Sequence, residues 1–181
     1  SLLTLASARR DLEQSREALA AHSPVDPVSG LVTPAYLHWH GTQEMSLARR
    51  RQAAISAMVI QIDNFEAVVE RYGGHIAGLV TRKLSKILST KVRKEDTVAQ
   101  LAEAQFAVLS PSTDIDGCGA FALRLRRTID KMVMTYRDER IRITISVGLA
   151  NSSTDAIESL SRLIGLAAQR AAAGSAAGGD R

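Results

Sequence analysis

Residues 55–63 read Ile-Ser-Ala-Met-Val-Ile-Gln-Ile-Asp, and no other stretch constrains the fold as strongly. So dense a run of Ile, Val and Met reads as a buried central strand, in a sheet with helices packed across it. Residues 100–109, Gln-Leu-Ala-Glu-Ala-Gln-Phe-Ala-Val-Leu, add a strand, a two-residue turn and a second strand. Between these signals, Asn64 opens a short helix that stops at Tyr72-Gly73-Gly74, where glycine supplies a left-handed end. A longer helix over residues 75–88 sets Ile76, Val80, Leu84 and Ile87 on one stripe. After the hairpin, a turn at 111–117 leads into a helix to residue 136, with Cys118, Phe121, Leu125, Ile129 and Met132 inward. Residues 140–150 alternate Ile141, Ile143 and Ile145 with Arg142, Thr144 and Ser146, the pattern of a half-buried strand. A last helix over 155–173 gives way to a flexible Gly, Ser and Ala tail. This order of elements predicts an α+β fold.

The N-terminal segment, residues 1–23, reads as a helix over 2–21 with Leu5, Leu12 and Leu19 seven apart. That spacing suits a dimeric coiled coil that relays a signal, and it suits equally an amphipathic helix lying on its own domain. Pro24 and Pro27 end it, and Thr33 with Pro34 starts the next helix, which runs to residue 52. His38 and His40 stand two apart on that helix and point away from each other, which favours exposed histidines over a metal site.

Composition excludes several classes. No run approaches the ~20 apolar residues of a membrane helix, so no membrane contact is expected of this segment. The single Cys118 forbids an internal disulfide and suits a reducing cytoplasm. Lys and Arg number 23 against 19 Asp and Glu, a net charge of +4 that favours anionic partners such as nucleotides without indicating nucleic acid. Aromatic residues at 4% leave no platform for stacking single strands. The start at Ser1, with neither Met nor signal peptide, suggests a piece of a longer chain with an upstream sensor or a downstream effector.

Three segments carry a resemblance. Residues 26–37, Asp-Pro-Val-Ser-Gly-Leu-Val-Thr-Pro-Ala-Tyr-Leu, are similar to the opening segment of the GGDEF family, with Pro34-Ala35 where that family has an Arg pair. Residues 145–150, Ile-Ser-Val-Gly-Leu-Ala, resemble its Ser-Ile-Gly-Val-Ala. Where the family writes Gly-Gly-Asp-Glu-Phe, this chain writes Ala102-Glu103-Ala104-Gln105-Phe106. The family comprises diguanylate cyclase domains, which condense two GTP into cyclic di-GMP. The resemblance spans residues 26–174 and implies a ferredoxin-like, nucleotidyl-cyclase-type sheet. It divides the chain into the N-terminal helix, a GGDEF-like domain at 24–174 and a tail at 175–181.

The resemblance also implies lost chemistry. Joining two nucleoside triphosphates needs a divalent metal held by carboxylates. The family's two metal-ligand positions fall on Gln61 and Ala104, and its following Glu falls on Gln105. The Gly-Gly turn that approaches the phosphates falls on Ala102-Glu103, which adds a Cβ and a negative charge. The guanine-recognising Asn and Asp fall on Val69 and Gly78, and a phosphate-binding Lys falls near Ser175. Asp63 remains, set apart from the metal position. The expectation is an inactive homologue with no metal and no cofactor.

One family feature persists. Five residues separate Arg93-Lys94-Glu95-Asp96 from Ala102, the spacing of the family's product-binding Arg-x-x-Asp site. The resemblance adds Arg124 to that site. Guanine N7 and O6 accept a bidentate Arg, and a carboxylate accepts from guanine N1–H and N2–H. A second Arg-x-x-Asp, Arg127 to Asp130, lies within a helix, and Arg93 with Asp96 could form a plain turn salt bridge. The leading reading is therefore an inactive domain that binds cyclic di-GMP at Arg93, Asp96 and Arg124, in a homodimer. The alternative is a nucleotide-free interaction or dimerisation module of a larger signalling protein. Binding of GTP without turnover is opposed by Glu103, Val69 and Gly78.

Overall fold

A computed structural model describes residues 2–21 and 25–179, with the side chains of 15–21 outside the described set. Strand β1 (Ile55–Ile62) is buried along nearly its whole length. It is flanked on one side by β3 (Gln105–Pro111) and on the other by β6 (Ile145–Asn151), both antiparallel to it. β2 (Thr97–Ala102) pairs with β3 and completes a sheet of order β2-β3-β1-β6. Side chains alternate across β1. Met58, Ile60 and Ile62 join one core cluster with Val80, Leu84, Phe106 and Leu125. Ala57 and Val59 join another with Leu37, Met45, Leu163 and Ala167. Helices α3 (Phe65–Tyr72), α4 (Gly74–Lys91) and α5 (Ile115–Asp130) cover the first face. Helices α2 (Pro34–Arg50) and α6 (Leu160–Ala176) cover the second. This is the α+β architecture that the order of elements implied, in the nucleotidyl-cyclase-like form that the family resemblance implied.

The expected start of α2 is present: Thr33 Oγ1 accepts from the Tyr36 N–H at 3.2 Å, with Pro34 in the first turn. α3 stops at Gly73, whose φ of 87° glycine adopts freely. The N-terminal helix α1 (Leu2–Ala21) exposes Leu5 at 68% and Leu12 at 55%, so these leucines do not lie on the domain. The third, Leu19, falls outside the described side chains. Among the described residues, no helix is long and apolar enough to cross a membrane.

Several boundaries differ from the sequence reading. α5 ends at Asp130 rather than 136, and β4 (Met134–Tyr136) pairs with β5 (Glu139–Ile141). The turn between them uses Arg137 at φ 49° and Asp138 at φ 62°, left-handed residues without the usual glycine signal. The expected strand 140–150 is therefore two, broken at 142–144, where the Thr144 carbonyl accepts the Asp63 N–H at 3.0 Å. α6 begins five residues later than expected because Asn151 organises the preceding loop. Asn151 Oδ1 accepts the Ser153 and Thr154 N–H groups, and its Nδ2 donates to Ser56 Oγ and the Thr113 carbonyl. α6 then runs through Ala176, past the start of the expected tail at 175.

α6 lies directly on β6. A Cβ at Gly148 would stand 1.8 Å from the Ala167 carbonyl oxygen and 2.4 Å from the Ala171 nitrogen, both main-chain atoms. Arg170 ties the two elements, donating to the Leu149 carbonyl at 2.7 Å and gripping Asp155 through both guanidinium nitrogens. Asp155 also accepts the Asn151 N–H at 2.9 Å, and the Arg170 contact first, then this one, holds its carboxyl below the usual range. Gly148→Ala should force the helix off the strand and cost about 3 kcal/mol, read as a lower midpoint in urea unfolding. An unchanged midpoint would mean that α6 does not sit this close.

Candidate functional site

The two regions singled out by sequence lie at different places on the sheet. The first is the end of β1 beside the β2–β3 hairpin. Gln61 stands opposite Gln105 on β3 and Ser146 on β6, and the Ala104 carbonyl accepts the Ile62 N–H at 2.9 Å. The hairpin turns at Glu103 and Ala104 without a left-handed residue, and its register slips between Gln100 and Ala102 instead. Gln100 Nε2 donates to the Glu103 carbonyl at 3.3 Å and steadies the turn.

Gln61 and Ala104 line a cavity of about 520 Å³ with Asn64, Glu66, Glu70 and Ser175. Ser175 reaches it from the last turn of α6. The donors that a hard divalent cation needs at the two expected positions are replaced by an amide and a methyl, which do not fit it. Asp63 is turned away: it is 4% exposed, and Thr144 Oγ1 and Ser146 Oγ each donate to it at 2.8 Å. Sequence reasoning missed Glu66 and Glu70. They stand four apart on α3, a spacing that aligns them on one face, and both turn towards this cavity. Among the described residues, no Lys or Arg lines it. Val69 is packed against the core, and Gly78 lies within α4.

The second region follows α4. The loop at residues 92–96 folds back so that Asp96 Oδ2 accepts the Arg93 N–H at 2.8 Å. Among the described residues, no salt bridge joins the side chains of Arg93 and Asp96, so the plain ion-pair reading does not describe this turn. Asp96 Oδ1 is buried without a hydrogen-bond partner. Arg93 and Asp96 line a space of about 20 Å³ with Thr113, Cys118 and Phe121. That is room for about one water, so a larger ligand would lie across its mouth. Arg124 joins through Phe121, its guanidinium carbon 5.8 Å from the ring centre. Arg93 and Asp96 thus line one space, and Arg124 stands over its Phe121 wall without lining the space itself, with Arg93 and Arg124 exposed. Cys118 forms a floor that sequence reasoning had assigned only to the core. Burial, then the nearby Asp96 carboxylate, pushes its thiol up to about 11, so it stays protonated and inert at neutral pH.

Elsewhere, His40 stacks on Tyr36 at 5.5 Å and faces Glu44, while His38 is exposed. Among the described residues, no group of three or more His, Cys, Asp or Glu could hold a metal ion.

Residues 23–181 match the family model described as "Diguanylate cyclase, GGDEF domain". The chain belongs to the GGDEF domain family. Among its relatives, diguanylate cyclase A of Treponema denticola is 27% identical over 105 residues, covering 58% of this chain and 28% of that protein. Diguanylate cyclase DgcP of Pseudomonas aeruginosa is 28% identical over 146 residues, covering 76% and 22%. The chain spans less than a third of the length of these relatives. In fold, it is similar to the GGDEF domain of DgcB from Caulobacter crescentus, crystallised with c-di-GMP. The TM-score is 0.81 at 18% identity, over 88% of this chain and 91% of that one. The coiled coil and GGDEF domain of DgcB give a TM-score of 0.81 at 19% identity, over 99% and 96%. At such identity the likeness is one of fold. The GGDEF architecture thus accounts for the sheet, and the chemistry at each position rests on this chain's own residues.

Proposed function

We propose that this GGDEF domain is catalytically inactive and serves as a receptor for cyclic di-GMP at Arg93, Asp96 and Arg124. The observation that carries this reading is the Asp96 carboxylate. One oxygen is fixed by the Arg93 N–H, and the other is buried without a donor. Leaving a buried acceptor unpaired costs about 1–3 kcal/mol, and a water in the small space, or a ligand N–H that opens its mouth, removes that cost. Guanine brings N1–H and N2–H to such an oxygen, and its N7 and O6 accept the fork of an exposed Arg93. Arg124, propped on Phe121, is free to meet a phosphate. The presence of c-di-GMP in crystals of the DgcB domain supports the ligand class.

The other cavity supports the inactive reading. A triphosphate with its metal would meet the Gln61 amide, the Ala104 methyl and the carboxylates of Glu66 and Glu70. Many relatives are named as diguanylate cyclases, so the assay is decisive. The native domain, given GTP with Mg²⁺ or Mn²⁺, should form no cyclic di-GMP by chromatography. Metal-dependent product would end the inactive reading while leaving the receptor reading to be tested separately.

Calorimetric titration tests the receptor. Arg93→Ala should weaken cyclic di-GMP binding by about 1–3 kcal/mol, tenfold or more, and Asp96→Ala comparably. Arg127→Ala, in the second Arg-x-x-Asp, should leave binding unchanged. Ligand should also raise the melting temperature, since it binds only the folded state. Neither heat nor a melting shift at high micromolar ligand would discard the receptor and favour the nucleotide-free interaction module.

The exposed leucines of α1 suit a coupling element between two copies or to an upstream sensor, as does the fold match extending through the DgcB coiled coil. Removing residues 1–22 should lower the mass measured by light scattering. A monomer both with and without them would remove this role.

A further inference from the structure

Charge is unevenly distributed along this chain. Residues 71–94 hold seven Lys or Arg and no Asp or Glu. Elsewhere, 16 of the 23 basic residues face all 19 acidic ones, so a segment of +7 is set against a remainder of −3. Most of that segment is α4. One side of the helix buries Val80, Leu84 and Leu88, and the other exposes Leu79, Arg82, Lys83 and Lys86. Arg82 with Lys86 and Lys83 with Lys86 stand four and three apart, spacings at which like charges repel. No carboxylate on α4 offsets them, and among the described residues none of the three is in an ion pair. The fold draws on this row through a hydrogen bond from Lys83 to a main-chain carbonyl and otherwise leaves its charge facing solvent.

Two aliphatic side chains accompany the basic row. Leu79, 38% exposed, lies one turn before Lys83. Lys83 Nζ donates to the Val133 carbonyl at 3.2 Å, which places Val133, 62% exposed, beside the same row. We propose that this face adsorbs to an anionic lipid surface, with Arg82, Lys83 and Lys86 among the headgroups and Leu79 and Val133 at the apolar boundary. Clusters of Lys and Arg on an amphipathic helix bind acidic lipid through the negative surface potential, and exposed aliphatics strengthen the contact. Nucleic acid would engage the same cations, but its phosphodiester backbone has no place for Leu79 and Val133. Adsorption requires no spanning helix, so the lack of a long apolar run, which suggested no membrane contact, does not oppose it.

The test is co-sedimentation of the full chain with vesicles of equal parts phosphatidylglycerol and phosphatidylcholine. The native protein should bind at low salt, release as salt shortens the screening length, and ignore pure phosphatidylcholine. Arg82→Glu with Lys86→Glu should weaken binding about thirtyfold or more, since each cation near the surface is worth roughly fivefold. Arg9→Glu with Arg10→Glu, the same charge change on exposed α1, should leave binding within about twofold, since neither residue belongs to the α4 row. Circular dichroism checks that both variants fold, and Gln replacements at 82 and 86 serve if the Glu pair does not. No binding of the native protein to anionic vesicles overturns the proposal, as does equal loss in both double variants. Tighter binding to double-stranded DNA than to vesicles at equal salt, lost in the 82/86 variant, would reassign the face to nucleic acid and overturn the lipid.

Discussion

β1 is paired along its length with β3 and β6 and is buried on both faces, so its register decides where every other element lies. Met58, Ile60 and Ile62 enter the core under α4 and α5, while Ala57 and Val59 enter the core under α2 and α6. A slip of one residue would exchange these sets and drive bulky side chains into the space that Ala57, Gly148 and Ala167 keep narrow. The same register brings Gln61 level with Gln105 and Ser146, and so fixes the groups that meet at the mouth of the hairpin cavity. What that cavity can do chemically is therefore set by a few letters on β1, α3 and the hairpin, within a frame that would accept others.

Much of this frame was legible because its signals are local or strictly periodic. The apolar run of β1, the hairpin, the Thr33 cap and the Gly73 stop each rest on a rule that acts over a few residues. The misses have a common cause, namely side chains or backbone angles taking over a role usually played by glycine or helix propensity. Arg137 and Asp138 make a left-handed turn that no glycine announces, and Asn151 holds a loop by hydrogen bonds to residues distant in sequence. At the candidate sites, the family resemblance pointed to Arg93, Asp96 and Arg124. It could not show that Asp96 divides its two oxygens between a main-chain N–H and an unpaired buried position. Nor did it show Glu66 and Glu70 facing the hairpin cavity, because that depends on the angle at which α3 leaves Asn64.

The distribution of charge gives the two sides of α3 and α4 different characters. Glu66 and Glu70 make the hairpin cavity unwelcoming to phosphates, while the outer row of α4 is basic without relief. Separation of this kind costs little in a folded domain because exposed like charges repel weakly in water. It does orient the molecule in an external field, and a domain with one basic face approaches any negatively charged surface in a preferred pose.

The grip of Arg170 on Leu149 and Asp155 bears on the company this domain keeps. A four-stranded antiparallel sheet ends in two outer strands, whose unpaired amides and carbonyls invite another chain to add itself. On β6, the Leu149 carbonyl is taken by Arg170 and the Asn151 N–H by Asp155. On β2, the Val98 carbonyl is taken by the Val32 N–H. An incoming strand would have to displace a guanidinium–carboxylate pair on one side and a bridging segment on the other. The domain is thereby steered away from sheet-to-sheet polymerisation, and its helix faces are left as the more open surfaces.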